Sequence, residues 1–272
     1  GRIMNEYPKF NIVGEEWSYN PIRIAYWQDG NNNKDGYESN LKSTMDFAMQ
    51  KAIFEGIYEK ENWNTGLIKI YENLANDFHY ADPKSLLIFN DNHDMSRIFT
   101  QMKEDVSKTK MAVSLMLTLP RIPQVLYGTE ILMEDSDKPG DHGLIRTDFP
   151  GGWKNDKSNA FNGENLEESQ LEMQNYIKIL LNFRKNSKAI HEGETLHYAP
   201  KDGIYLLSRK YEDEIVIYIV NKNNKSVNLD TNRFIEIDAV GKTFIDIHTE
   251  KIYEWSGKIQ IKNNSSIILT NK

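Results

Sequence analysis

Short apolar segments alternate with helical patterns over the first two-thirds of the chain, as they do in βα units. The apolar segments predict four buried strands, near residues 10–14, 44–47, 85–90 and 124–127. Apolar residues at helical spacing predict helices near residues 20–27, 67–78, 110–119 and 168–185. Four such units cannot close a barrel, but they are half of an eight-unit (β/α)8 barrel.

The pattern changes from about Glu194, where short strand-like segments are separated by turn residues. These segments lie near residues 204–207, 215–220, 234–237, 244–247, 258–261 and 266–269. Regular short strands with frequent turns are typical of an antiparallel β-sandwich. The sequence therefore predicts an α/β region at residues 1–192 and an all-β domain at residues 193–272.

Composition excludes several classes of protein. The 272 residues are 39% hydrophobic and carry a net charge of −7, with no run of Lys or Arg, which argues against nucleic acid as a partner. No apolar run approaches the roughly 18 residues that a membrane span needs. The chain has no cysteine, which excludes a disulfide scaffold, a thiolate metal site and a Cys nucleophile.

Three polar segments follow predicted strands, where βα barrels carry their reactive groups. They are Gly-Glu-Glu-Trp at 14–17, Phe-Asn-Asp-Asn-His-Asp at 89–94, and the segment 122–130. Each alone has an ordinary interpretation, such as a solvated loop, a local His–Asp hydrogen bond or a turn. Their co-occurrence at strand ends indicates a site, and two of them carry the carboxylates that glycosyl transfer requires.

Together these segments resemble signature regions of the α-amylase family, glycoside hydrolase family thirteen, at its fifth, seventh and eighth barrel strands. Residues 137–146 and 149–153 are similar to the neopullulanase and cyclomaltodextrinase branch, and the C-terminal residues resemble the β domain that follows the barrel there. The resemblance implies the C-terminal half of a (β/α)8 barrel followed by a β-sandwich. It also implies an α-glucan substrate, such as starch, maltodextrin, cyclodextrin or pullulan.

The resemblance assigns roles to individual residues. Glu15 would be the general acid/base, and Asp94 the second carboxylate, which orients sugar hydroxyls and stabilises the oxocarbenium-like transition state. The implied substrate-binding residues are His93, Trp17, Asn92, Asp141 and Arg146. We expect Glu15 and Asp94 to face each other across a sugar cleft.

Two family motifs have no match. The family's nucleophile is an Asp two residues after an Arg at the end of the fourth strand, and its third strand ends in Asn-His. The chain begins Gly-Arg-Ile-Met, with neither an initiator Met nor a signal-like segment. We therefore expect this chain to be the C-terminal part of a longer enzyme, inactive alone, with the missing N-terminal half as its partner.

Alternatives remain open. The same scaffold could be a 4-α-glucanotransferase, or a non-catalytic glucan-binding pseudoenzyme that uses Trp17, Trp153 and Tyr127 as stacking platforms. We expect no cofactor; Ca²⁺ occurs in many relatives, and the Asn-rich loop at 29–35 is better interpreted as a solvated loop than as a Ca²⁺ loop. The resemblance mildly favours the periplasm or cell surface over the cytoplasm. It leaves linkage preference and oligomeric state open.

Overall fold

A computed structural model describes residues 1–272. The chain forms two compact units. The first contains residues 1–89 and 120–124, and the second contains residues 90–119 and 125–272. Each unit is described separately below.

Four short parallel strands form the centre of the first unit. They are β1 (Val13–Gly14), β2 (Ser43–Thr44), β3 (Leu87–Ile88) and β4 (Ile122–Pro123). β1 pairs with β2, β3 pairs with β4, and a parallel bridge between Met45 and Leu87 joins the two pairs. Parallel strands adjacent in chain order are the arrangement of consecutive βα units, and this confirms the predicted fold class.

The helices of the first unit are α1 (Arg2–Glu6), α2 (Pro21–Tyr26), α3 (Phe47–Tyr58) and α4 (Ile68–Ala75). The predicted helix near 20–27 is confirmed, because the Asn20 side chain accepts a hydrogen bond from Ile22 N at 2.9 Å and Pro21 opens the helix. The predicted helix near 67–78 is confirmed in its central part and continues as a 3₁₀ turn over Asn76–His79.

Two strand predictions need correction. The segment near 44–47 is a strand only at its start, because Asp46 accepts a hydrogen bond from Met49 N at 3.0 Å and α3 begins at Phe47. The segment near 124–127 is not a strand. β4 lies just before it, and the chain then turns at Gly128, whose φ of 88° is a left-handed conformation.

The second unit contains five helices, of which α6 and α8 are the longest. They are α5 (Ile98–Gln101), α6 (Val106–Thr118), α7 (His142–Ile145), α8 (Glu168–Asn186) and α9 (Lys188–Glu192). Both long helices were predicted. Asp105 caps α6 by accepting a hydrogen bond from Lys108 N, and a reciprocal capping box of Glu167 and Gln170 starts α8. No helix of the chain has the length and apolar character needed to cross a bilayer.

From Glu194 onward the second unit consists mainly of antiparallel strands. The strands are β5 (Glu194–Lys201), β6 (Ile204–Tyr211), β7 (Glu214–Asn221), β8 (Val227–Asp230), β9 (Thr243–Asp246), β10 (Ile252–Glu254), β11 (Lys258–Ile261) and β12 (Ser265–Thr270). Six strands form one sheet in the order β10-β9-β12-β7-β6-β5, and β8 pairs with β11. Ile217 and Phe244 of the large sheet share one buried core with Leu229 and Ile259 of the small one. This confirms the predicted sandwich.

One predicted strand of the sandwich is wrong. Residues 234–237 belong to a 3₁₀ helix, Thr231–Ile237, whose N-terminus is capped when Asp230 accepts a hydrogen bond from Asn232 N. Phe234 and Ile237 are both buried in the core. Their three-residue spacing places both side chains on one side of a 3₁₀ turn, which a strand cannot do.

Candidate active site

Glu15 follows β1 and is exposed. It lines a cavity of about 270 Å³ together with Gly14, Glu16, Trp27, Leu41 and Thr44. The neighbouring Glu16 differs, because its carboxylate accepts a hydrogen bond from Arg23 Nη2 at 2.6 Å. Both carboxylates line the cavity, and Arg23 binds Glu16 and not Glu15, the predicted acid/base.

Trp17 presents an aromatic surface two residues further on. Its ring stacks on the buried Phe47 with centroids 4.6 Å apart, and its indole nitrogen donates to the Tyr19 hydroxyl at 3.3 Å. Phe47 in turn contacts Phe89 edge-on at 4.9 Å. The side chain remains 45% exposed. Trp17 is therefore packed on Phe47 but still accessible to solvent, and its predicted contact with a sugar ring stays a prediction.

Asp94 lies in the loop after β3, within the second unit, and is bound by Arg146. Arg146 Nη2 donates to Asp94 Oδ1, and Arg146 Nε donates to the carbonyl oxygen of His93 at 2.9 Å. His93 Nε2 lies 3.3 Å from Asp94 Oδ2. Three of the predicted residues are thus brought together, and one arginine holds both the backbone and the carboxylate of the His-Asp pair.

Asn92 shapes this loop from beneath. It is buried, and its side-chain oxygen accepts a hydrogen bond from Asp94 N at 2.8 Å. This bond fixes the backbone of the carboxylate-bearing residue. A predicted sugar contact of Asn92 remains a prediction.

Asp141 has other partners. It caps α7 by accepting a hydrogen bond from Gly143 N at 2.8 Å, and Lys138 Nζ donates to it at 2.7 Å. These bonds hold the pKa of Asp141 below its usual value, and the bond from Lys138 makes the largest contribution. Asp141 therefore starts the short helix that ends next to Arg146, and its predicted role in binding sugar stays a prediction.

A buried hydrogen-bond network near Asp94 was not predicted from the sequence. Arg97 is fully buried and donates to the carbonyl oxygens of Tyr127, at 2.7 Å, and Ile145, at 2.7 and 3.0 Å. Its backbone N donates to Asp135 at 3.1 Å. Because Ile145 immediately precedes Arg146, Arg97 fixes the backbone that carries the arginine bound to Asp94. The only signal in the sequence is a charged residue placed three positions after the His-Asp pair.

Asp91 is the second missed member of this network. It is buried and accepts a hydrogen bond from Ile98 N at 2.7 Å, which ties the polar loop to the start of α5. Burial raises the pKa of Asp91 to about 6, against the lowering effects of that bond and of Arg97. This carboxyl group supports the loop and does not face solvent.

The Asn-rich loop at 29–35 is held by its own side chains. Asn31 donates to the carbonyl oxygen of Ala25 at 2.6 Å, and Asn33 donates to that of Tyr26 at 2.9 Å. Tyr26 donates to Asp35 at 2.9 Å. These amides act as donors to backbone, whereas a Ca²⁺ loop aims oxygens at one point. No group of three or more His, Asp or Glu side chains is placed to hold a metal ion.

Comparison with known proteins identifies the family. The family model described as alpha amylase, catalytic domain, matches residues 2–175, more than half of the chain. The chain belongs to the α-amylase family. A second model, described as the cyclo-malto-dextrinase C-terminal domain, matches residues 195–270. The expected resemblance is therefore confirmed over both regions of this α-amylase family chain.

Individual relatives agree with this assignment. The chain is 28% identical over 238 residues to alpha-amylase 3 of Dictyoglomus thermophilum, covering 79% of this chain and 43% of that protein. It is 25% identical over 180 residues to a cyclomaltodextrin glucanotransferase of Paenibacillus macerans, covering 66% of this chain and 22% of that protein. The chain thus spans less than half the length of these two relatives.

Solved structures show the same fold. The α-amylase of Geobacillus thermoleovorans, solved as a complex with acarbose, superposes with a TM-score of 0.73 at 20% identity. The superposition covers 98% of this chain and 54% of that one. The likeness extends across both the βα part and the β-sandwich of this family member.

Proposed function

We propose that this chain is part of a retaining enzyme that cleaves α-glucosidic bonds in starch, maltodextrin, cyclodextrin or pullulan. Membership of the α-amylase family supports the reaction class. The observation that carries the assignment of residues is the Arg146 clamp on Asp94, beside the exposed His93. It is a preorganised carboxylate in a polar loop directly after a barrel strand, where such enzymes place their chemistry.

Glu15 is the acid/base of this proposal. It protonates the glycosidic oxygen as the bond to the anomeric carbon breaks, and the leaving sugar departs neutral. In the second step it removes a proton from the incoming water, which attacks the glycosyl-enzyme intermediate. Glu15 is exposed at the edge of a cavity and lies two residues before the partly exposed Trp17, so both a sugar and a water molecule can reach its carboxylate.

Asp94 is the carboxylate that stabilises developing positive charge. Arg146 occupies one of its oxygens, and His93 lies near the other. These contacts fix the direction of the carboxylate before substrate binds, so that less reorganisation is needed in the transition state. His93 is exposed and can donate a hydrogen bond to a sugar hydroxyl.

In this proposal the nucleophile is the Asp of the family's fourth-strand motif, which has no match in residues 1–272. Retention requires a carboxylate about 5–5.5 Å from the acid. We therefore expect residues 1–272 alone to release no reducing sugar from starch, pullulan or cyclodextrin. Turnover by the purified chain above that of a Glu15→Gln chain would refute this part of the proposal.

The main test uses the enzyme that contains this chain, with its N-terminal half. Glu15→Gln removes the proton but keeps the shape, and should lower kcat by at least about 10²-fold. Glu16→Gln is the matched control, because it changes the adjacent carboxylate, which pairs with Arg23, and should keep most of the activity. Equal rates for the two variants would remove Glu15 from its role. If the unmodified enzyme binds glucan but shows no activity, the non-catalytic alternative is favoured.

A transferase is the second candidate, since several relatives are cyclomaltodextrin glucanotransferases. The same intermediate forms, and a sugar hydroxyl replaces water in the second step. Incubation of the intact enzyme with maltotriose distinguishes the two. Hydrolysis yields glucose and maltose, whereas transfer also yields chains longer than the substrate.

A further inference from the structure

A second cleft lies within the second unit, between α8 and the turn that joins β9 to β10. Its volume is about 400 Å³. Tyr176 of α8 and His248 of the turn form its floor, and neither His93, Asp94 nor Arg146 lines it. It is therefore separate from the candidate active site.

The imidazole of His248 is held in a fixed position. Its ring stacks on Tyr176 with centroids 3.7 Å apart and an interplanar angle of 11°. Its backbone N donates to Asp246 at 3.2 Å, and Thr249 Oγ1 donates to the same carboxylate at 2.7 Å. The turn is thus built to place this ring against α8.

Both ring nitrogens of His248 are buried and have no hydrogen-bond partner in the protein. Buried polar atoms are normally paired, because an unpaired one loses its hydrogen bonds to water without replacement. Burial, with a further contribution from Lys110, lowers the pKa of His248 to about 4. At neutral pH the ring is uncharged, so one nitrogen donates and the other accepts. A matching ligand needs groups that do both.

The other side chains of the cleft narrow the class of ligand. Asn175, Thr249 and Ser265 add neutral polar groups. Three lysines, Lys110, Lys251 and Lys262, also line it, together with the carboxylates of Glu172 and Asp246, and Lys110 is paired with Glu172 at 2.6 Å. A cleft of aromatic rings, neutral polar groups and largely compensated charge favours a neutral polyhydroxylated ligand over an anion, because sugar hydroxyls both donate and accept.

We propose that the Tyr176–His248 cleft binds a short α-glucan chain without cleaving it, as a site distinct from the one that contains Asp94. The choice of an α-glucan as the ligand rests on the proposed function. Such a site holds a substrate chain on the enzyme between catalytic events and raises its local concentration.

The test is titration of the isotope-labelled 272-residue chain with maltotriose, followed by NMR of backbone amides. We expect shifts at residues 246–251 and at Asn175 and Tyr176. His248→Phe keeps a ring on Tyr176 but removes both nitrogens, and should weaken this binding by about tenfold or more. Asn175→Ala, at an exposed position of α8, should also weaken maltotriose binding. This second variant tests the proposal if His248→Phe folds poorly. Glu250→Gln, in the same turn, is the control and should bind as the unmodified chain does.

Several outcomes would overturn the proposal. Equal affinity in His248→Phe and Asn175→Ala, or no shifts at residues 246–251, would exclude the cleft as a glucan site. Shifts caused there by inorganic phosphate but not by maltotriose would make it an anion site instead. The readout is binding alone, so it is independent of turnover. Failure of the Glu15 experiment with these shifts intact would refute the proposed function only.

Discussion

Arg121 and Asp46 form a buried ion pair, with Arg121 Nε 3.0 Å from Asp46 Oδ2 and both side chains essentially inaccessible to solvent. Arg121 Nη2 also contacts Asp77 at 2.5 Å. Burial alone would lower the pKa of Arg121, but Asp77 and Asp46 outweigh it and raise the pKa above its usual value. Asp46 also caps α3, so one carboxylate joins the start of that helix to the residue before β4.

Replacing Arg121 by Met should destabilise the chain strongly. The substitution leaves Asp46 buried without its charged partner, which costs about 3–5 kcal/mol. Urea denaturation followed by circular dichroism should show a lower midpoint. Lys108→Met is the control, because the contact of Lys108 with Asp105 at 3.6 Å is partly exposed and such a pair is worth about 0–1 kcal/mol. Similar midpoints for both variants would show that the Arg121 pair contributes little.

Stability should fall as the pH is lowered from about 6.5 to 4. The pKa of His248 is about 4 in the folded chain because burial, and then Lys110, disfavours the charged form, and it is near 6.5 when unfolded. Between these values the unfolded state binds more protons, so acid favours unfolding. We expect the free energy of unfolding to be lower by about 1–2 kcal/mol at pH 4 than at neutral pH. This figure is smaller than the full pKa difference would give, because solvent screens the partly exposed ring.

The variant His248→Phe isolates this contribution, because it keeps the stack on Tyr176 and cannot bind a proton. Melting temperatures measured at intervals from pH 7 to 4 should fall less steeply in the variant than in the unmodified chain. Parallel curves would mean that other groups cause the acid sensitivity.

Arg146→Lys should impair catalysis in the enzyme that contains this chain. Lysine keeps the positive charge but cannot donate to both the His93 carbonyl and the Asp94 carboxylate in the fixed geometry of a guanidinium. We expect kcat/KM to fall by about 10- to 100-fold, mainly through kcat, because misplacement of a reacting group reduces rate.

The control for this prediction is Arg23→Lys, which alters an exposed pair with Glu16. In steady-state kinetics on maltotriose, the Arg23→Lys variant should have nearly the same rate as the unmodified enzyme. A fall in Arg146→Lys confined to KM would indicate that Arg146 contacts sugar, as the family resemblance implies, and does not chiefly position Asp94.

Local signals explain which elements were predictable. Asn20 and Pro21 mark the start of α2 by their own chemistry. Strands β6, β7, β9, β11 and β12 follow predicted apolar segments between turn residues. Helix α3 was missed because Asp46, its cap, lies inside the segment 44–47, which was predicted as a strand. The strand expected at 234–237 was wrong because Phe234 and Ile237 reach the core from a 3₁₀ turn.

The sequence by itself determined which segments are candidates for the site, those containing Glu15, His93 and Asp94, and it determined the βα-then-β order of the chain. Only the tertiary structure decided what holds those groups. Arg97 binds Tyr127 and Ile145, 30 and 48 residues away, and Arg146 binds Asp94 from 52 residues away. Hydrogen bonds and ring stacking depend on distances in space, and packing, not spacing along the chain, sets those distances.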